Sequence, residues 1–338
     1  MRSRCTLSAA ALAVSTLTLT GCVTGEGSGG DAAEAGASGG GASTLDIDFA
    51  TYNPLSLVIR EKGWLEEELS DEGVTVNWVQ SAGSNKANEA LRAEAIDVGS
   101  TAGSAALLAR ANGTEIKTIG LYSQPEWAAL VTTADSGITK VTDLVGKNVA
   151  ATKGTDPYFF LIQALEEAGV DPSEVTVQNL QHADGNSALA NGSVDAWSGL
   201  DPIMAGAEAE GAELFYRNVD FNTYGFLNAT ESFLDESPEL AQTVADVYEK
   251  ARAWALENPE ETAAILAEVA GLEEDVATTV ITERSNLDVD PVPGQAQLDV
   301  LEKVGPILVE TRDVDSQENV DQALAELLEP SFAEKATQ

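Results

Sequence analysis

Apolar and polar positions change period along this chain, and the changes mark out its elements. From Leu45 to Phe49 apolar residues alternate with acids, the two-residue period of a half-buried strand. "SLVIREKGWLEEELSDEG" then spaces its apolar residues at helical intervals and stops at Gly73. "VTVNWVQ" predicts a second strand, "SNKANEALRAEA" a helix opened by Ser84, and "IDVGS" a third strand. The same order then returns. "KNVAATKG" reads as a strand, "DPYFFLIQALEEAG" as a helix with Pro157 at its start, "VTVQNLQ" as a strand, "NSALANG" as a helix and "VDAWS" as a strand. Strands alternating with helices imply parallel sheets flanked by helices, and two such series imply two lobes.

The second series repeats residues as well as period. Shifted by 98 positions, Leu91, Asp97, Ser100, Ala109 and Gly113 become Leu189, Asp195, Ser198, Ala207 and Gly211, while Gly99 becomes Trp197. Both strings follow a strand and lead into a helical run, and open parallel sheets take ligands at the carboxyl ends of their strands. The repeat therefore predicts two facing walls of one cleft. Gly99 would admit a ligand close to the backbone, and Trp197 would supply a flat wall opposite. "TIGLYSQPEWAALVTTADSGI" reads as the crossing between lobes and "LFYRNVDFNTYGFLNATESF" as the return. Residues 45–125 and 225–338 would form lobe I, and residues 126–224 lobe II. From Ser237 the chain reads as helical, with cap-plus-proline starts at Ser237-Pro238-Glu239 and Asn258-Pro259-Glu260.

The amino terminus changes the picture by giving an address. Arg2 and Arg4 precede a short apolar run that ends in "LTGC" at Cys22. This resembles a bacterial lipoprotein signal, residues 1–21 being removed and Cys22 lipidated. Residues 22–44 are rich in Gly, Ser and Ala and read as a flexible tether. Cys5 lies in the signal, so no disulfide or free thiol is expected in the folded part. The chain carries 56 acidic against 18 basic residues, a net charge of −38. Such a surface repels nucleic acid and anionic lipid headgroups, which leaves the lipid as the only expected membrane contact. An anionic ligand would have to be held against that field.

"ATYNPLSLVIREKGWLEEEL", "VQSAGSNKANEALRAEAIDVGSTAGSAAL", "VTDLVGKNVAATKGTDPYFFLIQALEEAGV", "NLQHADGNSALANGSVDAWSGLDP" and "YEKARAWALENPEETAAILAE" together resemble the substrate-binding proteins of bacterial ABC importers, in the branch for aliphatic sulfonates, taurine and nitrate. The resemblance covers about Leu45 to Arg284. It implies an α/β, two-lobed, type II periplasmic-binding-protein-like fold with a helical C-terminal part. It also implies a monomeric, lipid-anchored, extracytoplasmic receptor that captures a small organosulfonate and hands it to an ABC permease, with no cofactor or metal and no catalysis. Nitrate, a pyrimidine vitamin precursor, or a sensor role on the same frame remain alternatives.

Matching the family's four ligand-contacting places gives the candidate residues. Tyr52 and Asn53 follow the first strand, as contacts or as a helix cap. Gly83 and Ser84 open a helix, where capping alone would also account for Ser84. Ser100 and Thr101 offer hydroxyls after the third strand. In the second lobe stand Thr155, Asp156, His182, Asp184, Trp197 and Asp201, with Asp156 equally an N-cap. Glu126 and Trp127 lie in the crossing and Tyr224 in the return. Glu126, Asp156 or Asp201 would suit a ligand ammonium, and Lys153 is the one base beside the expected site. His182 is the only histidine, and the one Gly-x-Ser-x-Gly string, Gly36 to Gly40, falls in the Gly/Ser-rich tether rather than at a strand-to-helix turn, so a Ser–His–Asp triad is not supported. One histidine and no available cysteine also argue against zinc.

Overall fold

The computed structural model describes residues 44–338, so the expected signal, Cys22 and all but the last residue of the tether lie outside the described residues. Ten strands form two five-stranded sheets. The strands are β1 (Thr44–Phe49), β2 (Thr75–Gln80), β3 (Val98–Ala102), β4 (Ile116–Ser123), β5 (Ala128–Thr133), β6 (Asn148–Ala151), β7 (Thr176–Asn179), β8 (Ala196–Leu200), β9 (Ala212–Tyr216) and β10 (Gly225–Thr230). One sheet runs β2-β1-β3-β10-β4 and the other β7-β6-β8-β5-β9. In each, four strands point one way, and the antiparallel strand is the one that enters after a crossing: β10 in the first, β5 in the second. This is the two-lobed α/β fold. Both crossings hold more than linkers, since each consists of two strands that belong to different sheets.

The two sheets match position by position, down to the register. Ser100 pairs with Leu227 across β3 and β10, and Ser198 pairs with Leu130 across β8 and β5. The repeated aspartates do the same job in both copies. Asp97 donates its amide to the Asp46 carbonyl at 2.7 Å and its carboxylate accepts the Asp46 amide at 2.8 Å. Asp195 accepts the Asn148 amide at 2.8 Å and donates its own amide to the Asn148 carbonyl. Each pins the start of the central strand to its neighbour. Gly113 and Gly211 both take the left-handed conformation after a helix, at φ of 85° and 101°.

The repeat is thus written by the fold, and the Gly99–Trp197 difference belongs to the core. A Cβ at Gly99 would meet Ile96 at 2.9 Å and Leu91 at 3.2 Å, so the space above Gly99 is already filled. In the second lobe the same space is filled by Trp197, which is wholly buried among Ala129, Val131, Ala150 and Leu189. Gly185, on the helix His182–Ala190, leaves room for the indole edge: a Cβ there would lie 2.7 Å from Trp197 Nε1. The expected flat wall is therefore a core filler. Strand alternation explains it, because Trp197 points to the face opposite Ala196, Ser198 and Leu200.

After β10 the described residues contain helices and no further strand. The helix Pro238–Glu257 packs on Pro54–Lys62 and β4, and Gln317–Glu326 packs on Gly103–Ala111, so this part chiefly completes the first lobe. Leu327 and Glu329 bond to the backbone of Thr118, which covers the free edge of β4. Arg252 ties the helix Pro238–Glu257 to the crossing, giving bonds to the carbonyls of Leu121, Tyr122 and Leu287. None of the described helices is long and apolar enough to cross a membrane.

Core packing around Trp197 gives a test. Trp197→Ala should lower stability by about 3–5 kcal/mol, read by urea unfolding. Gly185→Val should destabilise as well, since its branched side chain would compete for the volume the indole occupies. Unchanged midpoints in both would contradict the assignment of Trp197 to the core.

Candidate functional site

The carboxyl ends of the parallel strands from the two sheets meet in a narrow cleft, and most of its polar groups are buried. Asp156 stands at its centre. This residue opens the helix Asp156–Glu167 with Pro157 following, and it is 1 % exposed. Its carboxylate accepts four hydrogen bonds: from Ser104 Oγ, Trp127 Nε1 at 2.9 Å, Thr223 N at 2.8 Å and Thr223 Oγ1 at 2.7 Å. Burial raises its pKa, and the bonds from Ser104, Thr223 and Trp127 pull it back. A carboxylate with four donors has little left to offer a ligand ammonium, so its place is structural. Ser104 belongs to the helix after β3, whereas Trp127 and Thr223 lie in the two crossings.

Beside this knot the lobes close down on a small cavity of about 10 Å³, roughly the room of one water, lined by Tyr52, Ser123, Trp127, Asp201 and Arg284 among others. Tyr52 donates to the Ser100 carbonyl at 2.9 Å and stands edge-on to Trp127, ring centroids 6.2 Å apart. Arg284 comes from the π-turn Val280–Arg284, an irregularity that often marks functional helices. The guanidinium is 5 % exposed, bonds Asp201 at 3.3 Å and Glu208 at 2.5 Å, and leaves Nε without a partner. Asp201, 4 % exposed, also accepts the Ala205 amide. Its pKa is pushed up to about 6 by burial, against the pull of Arg284. The hydroxyl of Ser123, next to the crossing, is buried and unpartnered. Arg284 is paired with two carboxylates, so an anion entering here would have to exchange with one of them and could then also take the free Ser123 hydroxyl. A larger groove on the first lobe has its Arg110 committed to Glu231 at 2.7 Å and Glu326 at 2.8 Å.

The remaining candidates separate into two sets. Gly83 and His182 approach one another across the cleft, a Cβ at Gly83 falling 3.0 Å from His182 Nε2. His182 begins its helix and is fully buried, which pushes its pKa down to about 4. Ser84 accepts the Ala102 amide at 2.9 Å and does not cap its helix; Gly83 holds the cap position. Thr155 donates to the Thr152 carbonyl at 2.7 Å.

The other set is occupied elsewhere. Asn53 caps the helix Pro54–Lys62 and donates to Tyr248. Ser100 gives its amide and hydroxyl to Asp48, and Thr101 accepts from Asn228. Glu126 is ion-paired to Arg217 at 2.9 Å on a partly exposed edge, so it is already neutralised. Asp184 is exposed in the first turn of its helix, where the helix dipole favours an acid. Tyr224 is half-buried against the core and offers its carbonyl to Gly103. Lys153 is exposed, 5.4 Å over the Tyr158 ring.

Sequence reasoning passed over Asp48, Ser104, Ser123, Thr223 and Arg284. Alternation assigns Asp48 to an outer strand face, yet it is fully buried under Ser100, and burial pushes its pKa up to about 7. Arg284 ends the stretch that resembles known proteins. Its one signal is a base among apolar helical residues in a strongly acidic chain.

Two α/β lobes with their strand tips facing one another define a periplasmic-binding-protein-like fold. The chain belongs to the NMT1/THI5-like family, whose model matches residues 55–262. It is 29 % identical over 259 residues to a putative aliphatic sulfonates-binding protein of Bacillus subtilis (strain 168), covering 75 % of this chain and 78 % of that one. A protein of the same description from Escherichia coli (strain K12) is 28 % identical over 220 residues, 64 % of this chain and 69 % of that one. The alkanesulfonate-binding protein SsuA from Xanthomonas axonopodis pv. citri, bound to MOPS, superposes with a TM-score of 0.76 at 22 % identity, covering 84 % of this chain and 98 % of that chain.

Asp48 yields a pH prediction. Its folded-state pKa, about 7, lies above the unfolded value, so the folded state holds the proton more tightly. The stability it contributes is complete near pH 4 and is lost as pH rises towards 7. His182, lowered to about 4, works in the opposite sense between pH 4 and 6.5. Asp48→Asn should therefore gain stability relative to wild type between pH 5 and 8, the gap opening as pH rises. A gap independent of pH would show that Asp48 keeps an ordinary pKa.

Proposed function

We propose that the protein is a lipid-anchored extracytoplasmic receptor that captures a small organosulfonate between its lobes and delivers it to an ABC permease. The observation that carries this is the buried Arg284 guanidinium on the interlobe cavity, with a free Nε and with the unpartnered Ser123 hydroxyl in the same lining. A sulfonate supplies three acceptor oxygens and one diffuse charge, which matches a guanidinium fork and a hydroxyl. The curated relatives are named for sulfonate binding, which supports the same reading.

Ligand would bridge Arg284 and Ser123 of the first lobe with groups of the second, so only the closed form makes every contact. Closure is then what a permease reads, with the acylated Cys22 and its tether keeping the receptor at the membrane. The reading includes no catalysis. The Asp156 carboxylate is fully engaged with protein donors, and the hydroxyl beside His182, that of Thr152, gives its hydrogen to the Leu180 carbonyl and not to the ring.

A panel of alkanesulfonates, taurine, sulfate, nitrate and pyrimidines tests the assignment. Sulfonates should raise the melting temperature in a concentration-dependent manner, following RT ln(1 + [L]/Kd), and mass spectrometry should recover them unchanged. Arg284→Gln alone would strand a buried Asp201, so it is paired with Asp201→Asn. The double variant should fold and bind sulfonates at least about tenfold more weakly, the loss of one charged hydrogen bond. Stabilisation by nitrate or a pyrimidine alone, or undiminished sulfonate binding by the double variant, would refute the proposal.

A further inference from the structure

Arg284 has two carboxylate partners, and only one of them borders the interlobe cavity. Asp201 lines it together with Arg284, Tyr52 and Ser123. Glu208 is not part of that lining; it reaches the guanidinium from the helix Ile203–Ala209, with 42 % of its side chain in solvent. Asp201 faces Arg284 Nη1 with both oxygens, at 3.3 and 3.4 Å, and is 4 % exposed. Its Oδ1 also takes the Ala205 amide at 3.0 Å, whereas Arg284 is the one donor to Oδ2 among the described residues. Arg217 pulls on the same carboxylate from further off and is itself paired with Glu126 at 2.9 Å. The Trp127 carbonyl accepts the Asp201 amide at 2.9 Å.

An anion that reaches Arg284 through the cavity therefore meets the side of the guanidinium held by Asp201. Two negative groups cannot share Nη1 where screening is weak. Glu208, if displaced, could turn into solvent and stay charged. Asp201 has no such exit. A buried carboxylate stripped of its counter-ion sheds its charge, because an unpaired charge in the interior is far more costly than a neutral acid. Burial already pushes the Asp201 pKa up to about 6 against the pull of Arg284, and handing that guanidinium to a guest removes the stronger of the two opposing charges. The proton comes from solvent, and the neutral acid can then donate it to an oxygen of the guest.

We propose that Asp201 is a built-in counter-ion that the guest replaces on Arg284, so that each anion is bound together with one proton. This rests on the sulfonate reading of the Arg284 site and adds what must accompany binding there. The liganded form holds more protons than the free form, so affinity falls as pH rises. Below about pH 6 Asp201 is already protonated and affinity is level; above it, affinity drops by up to about tenfold per pH unit. Glu208 keeps the Arg284 charge compensated on the outer side throughout.

The test is calorimetric titration of the full-length protein with ethanesulfonate near pH 7, in bis-Tris and in Tris. These buffers differ in ionisation enthalpy, and neither is itself a sulfonate. The difference in observed heat counts protons, and wild type should take up close to one per ethanesulfonate, with Kd rising about tenfold between pH 7 and pH 8. Asp201→Asn leaves Arg284 paired with Glu208 and stands in for the protonated acid. It should bind without proton uptake, keep a level Kd from pH 6 to pH 8, and at pH 8 bind at least about tenfold more tightly than wild type. Should that variant not fold, the wild-type proton count decides alone. Binding by wild type without proton uptake, or an Asp201→Asn variant that keeps the wild-type pH slope, would overturn the counter-ion exchange and leave the sulfonate site standing. Absence of ethanesulfonate binding at every pH from 5 to 8 would overturn both.

Discussion

A carboxylate taken out of water must find its donors in the protein. Asp156 finds them in three separate stretches of chain. Ser104 reaches it from the first lobe, Trp127 from the outgoing crossing and Thr223 from the return. Satisfying this one group fixes where both crossings run and sets the strand tips of the second lobe against those of the first. The ion pair of Arg284 with Asp201 makes a second interlobe tie. The close approach of Gly83 to His182 adds a third. The cleft is therefore a set of polar contacts whose geometry has one solution when the lobes are together.

Charge raises a question that burial answers. A chain with a net charge of −38 should repel an anionic guest at long range. Salt screens that repulsion within roughly 10 Å at ordinary ionic strength, while a buried pair is screened far less. Buried beside the cleft, Arg284 is paired with Asp201 and Glu208, so an anionic guest meets an exchangeable ion pair rather than a free cation. The two carboxylates already beside Arg284 keep its charge compensated when no guest is present, and a sulfonate would compete with them for the same nitrogens. That competition is a natural source of selectivity, because a weakly bound anion cannot displace two carboxylates.

The architecture was legible in the sequence because it is written in periodicity. Alternating strand and helix signals, repeated about a hundred residues apart, gave the two α/β lobes. Strands β4, β5, β9 and β10 read as crossings because their flanks lack the helices that set off the others. The repeat itself misled about the site. Asp97 and Asp195 recur because each pins a strand start, and Trp197 differs from Gly99 because the two cores are filled differently. Residue type told where hydroxyls and acids cluster, but not which would find protein partners. Asn53, Ser100 and Glu126 were absorbed by Tyr248, Asp48 and Arg217, distant in sequence. Arg284 arrives from the helical C-terminal part through a π-turn, and no local pattern announces where such a turn will aim its last side chain.

Everything proposed here turns on an anion sitting between the lobes at Arg284. A crystal structure with 2-bromoethanesulfonate tests it most directly, because bromine gives an anomalous signal independent of the surrounding density. A peak is expected inside the cavity bordered by Tyr52, Ser123 and Trp127, with sulfonate oxygens on the Arg284 guanidinium. A peak confined to the outer groove at Arg110, or none in crystals grown at saturating ligand, would contradict it.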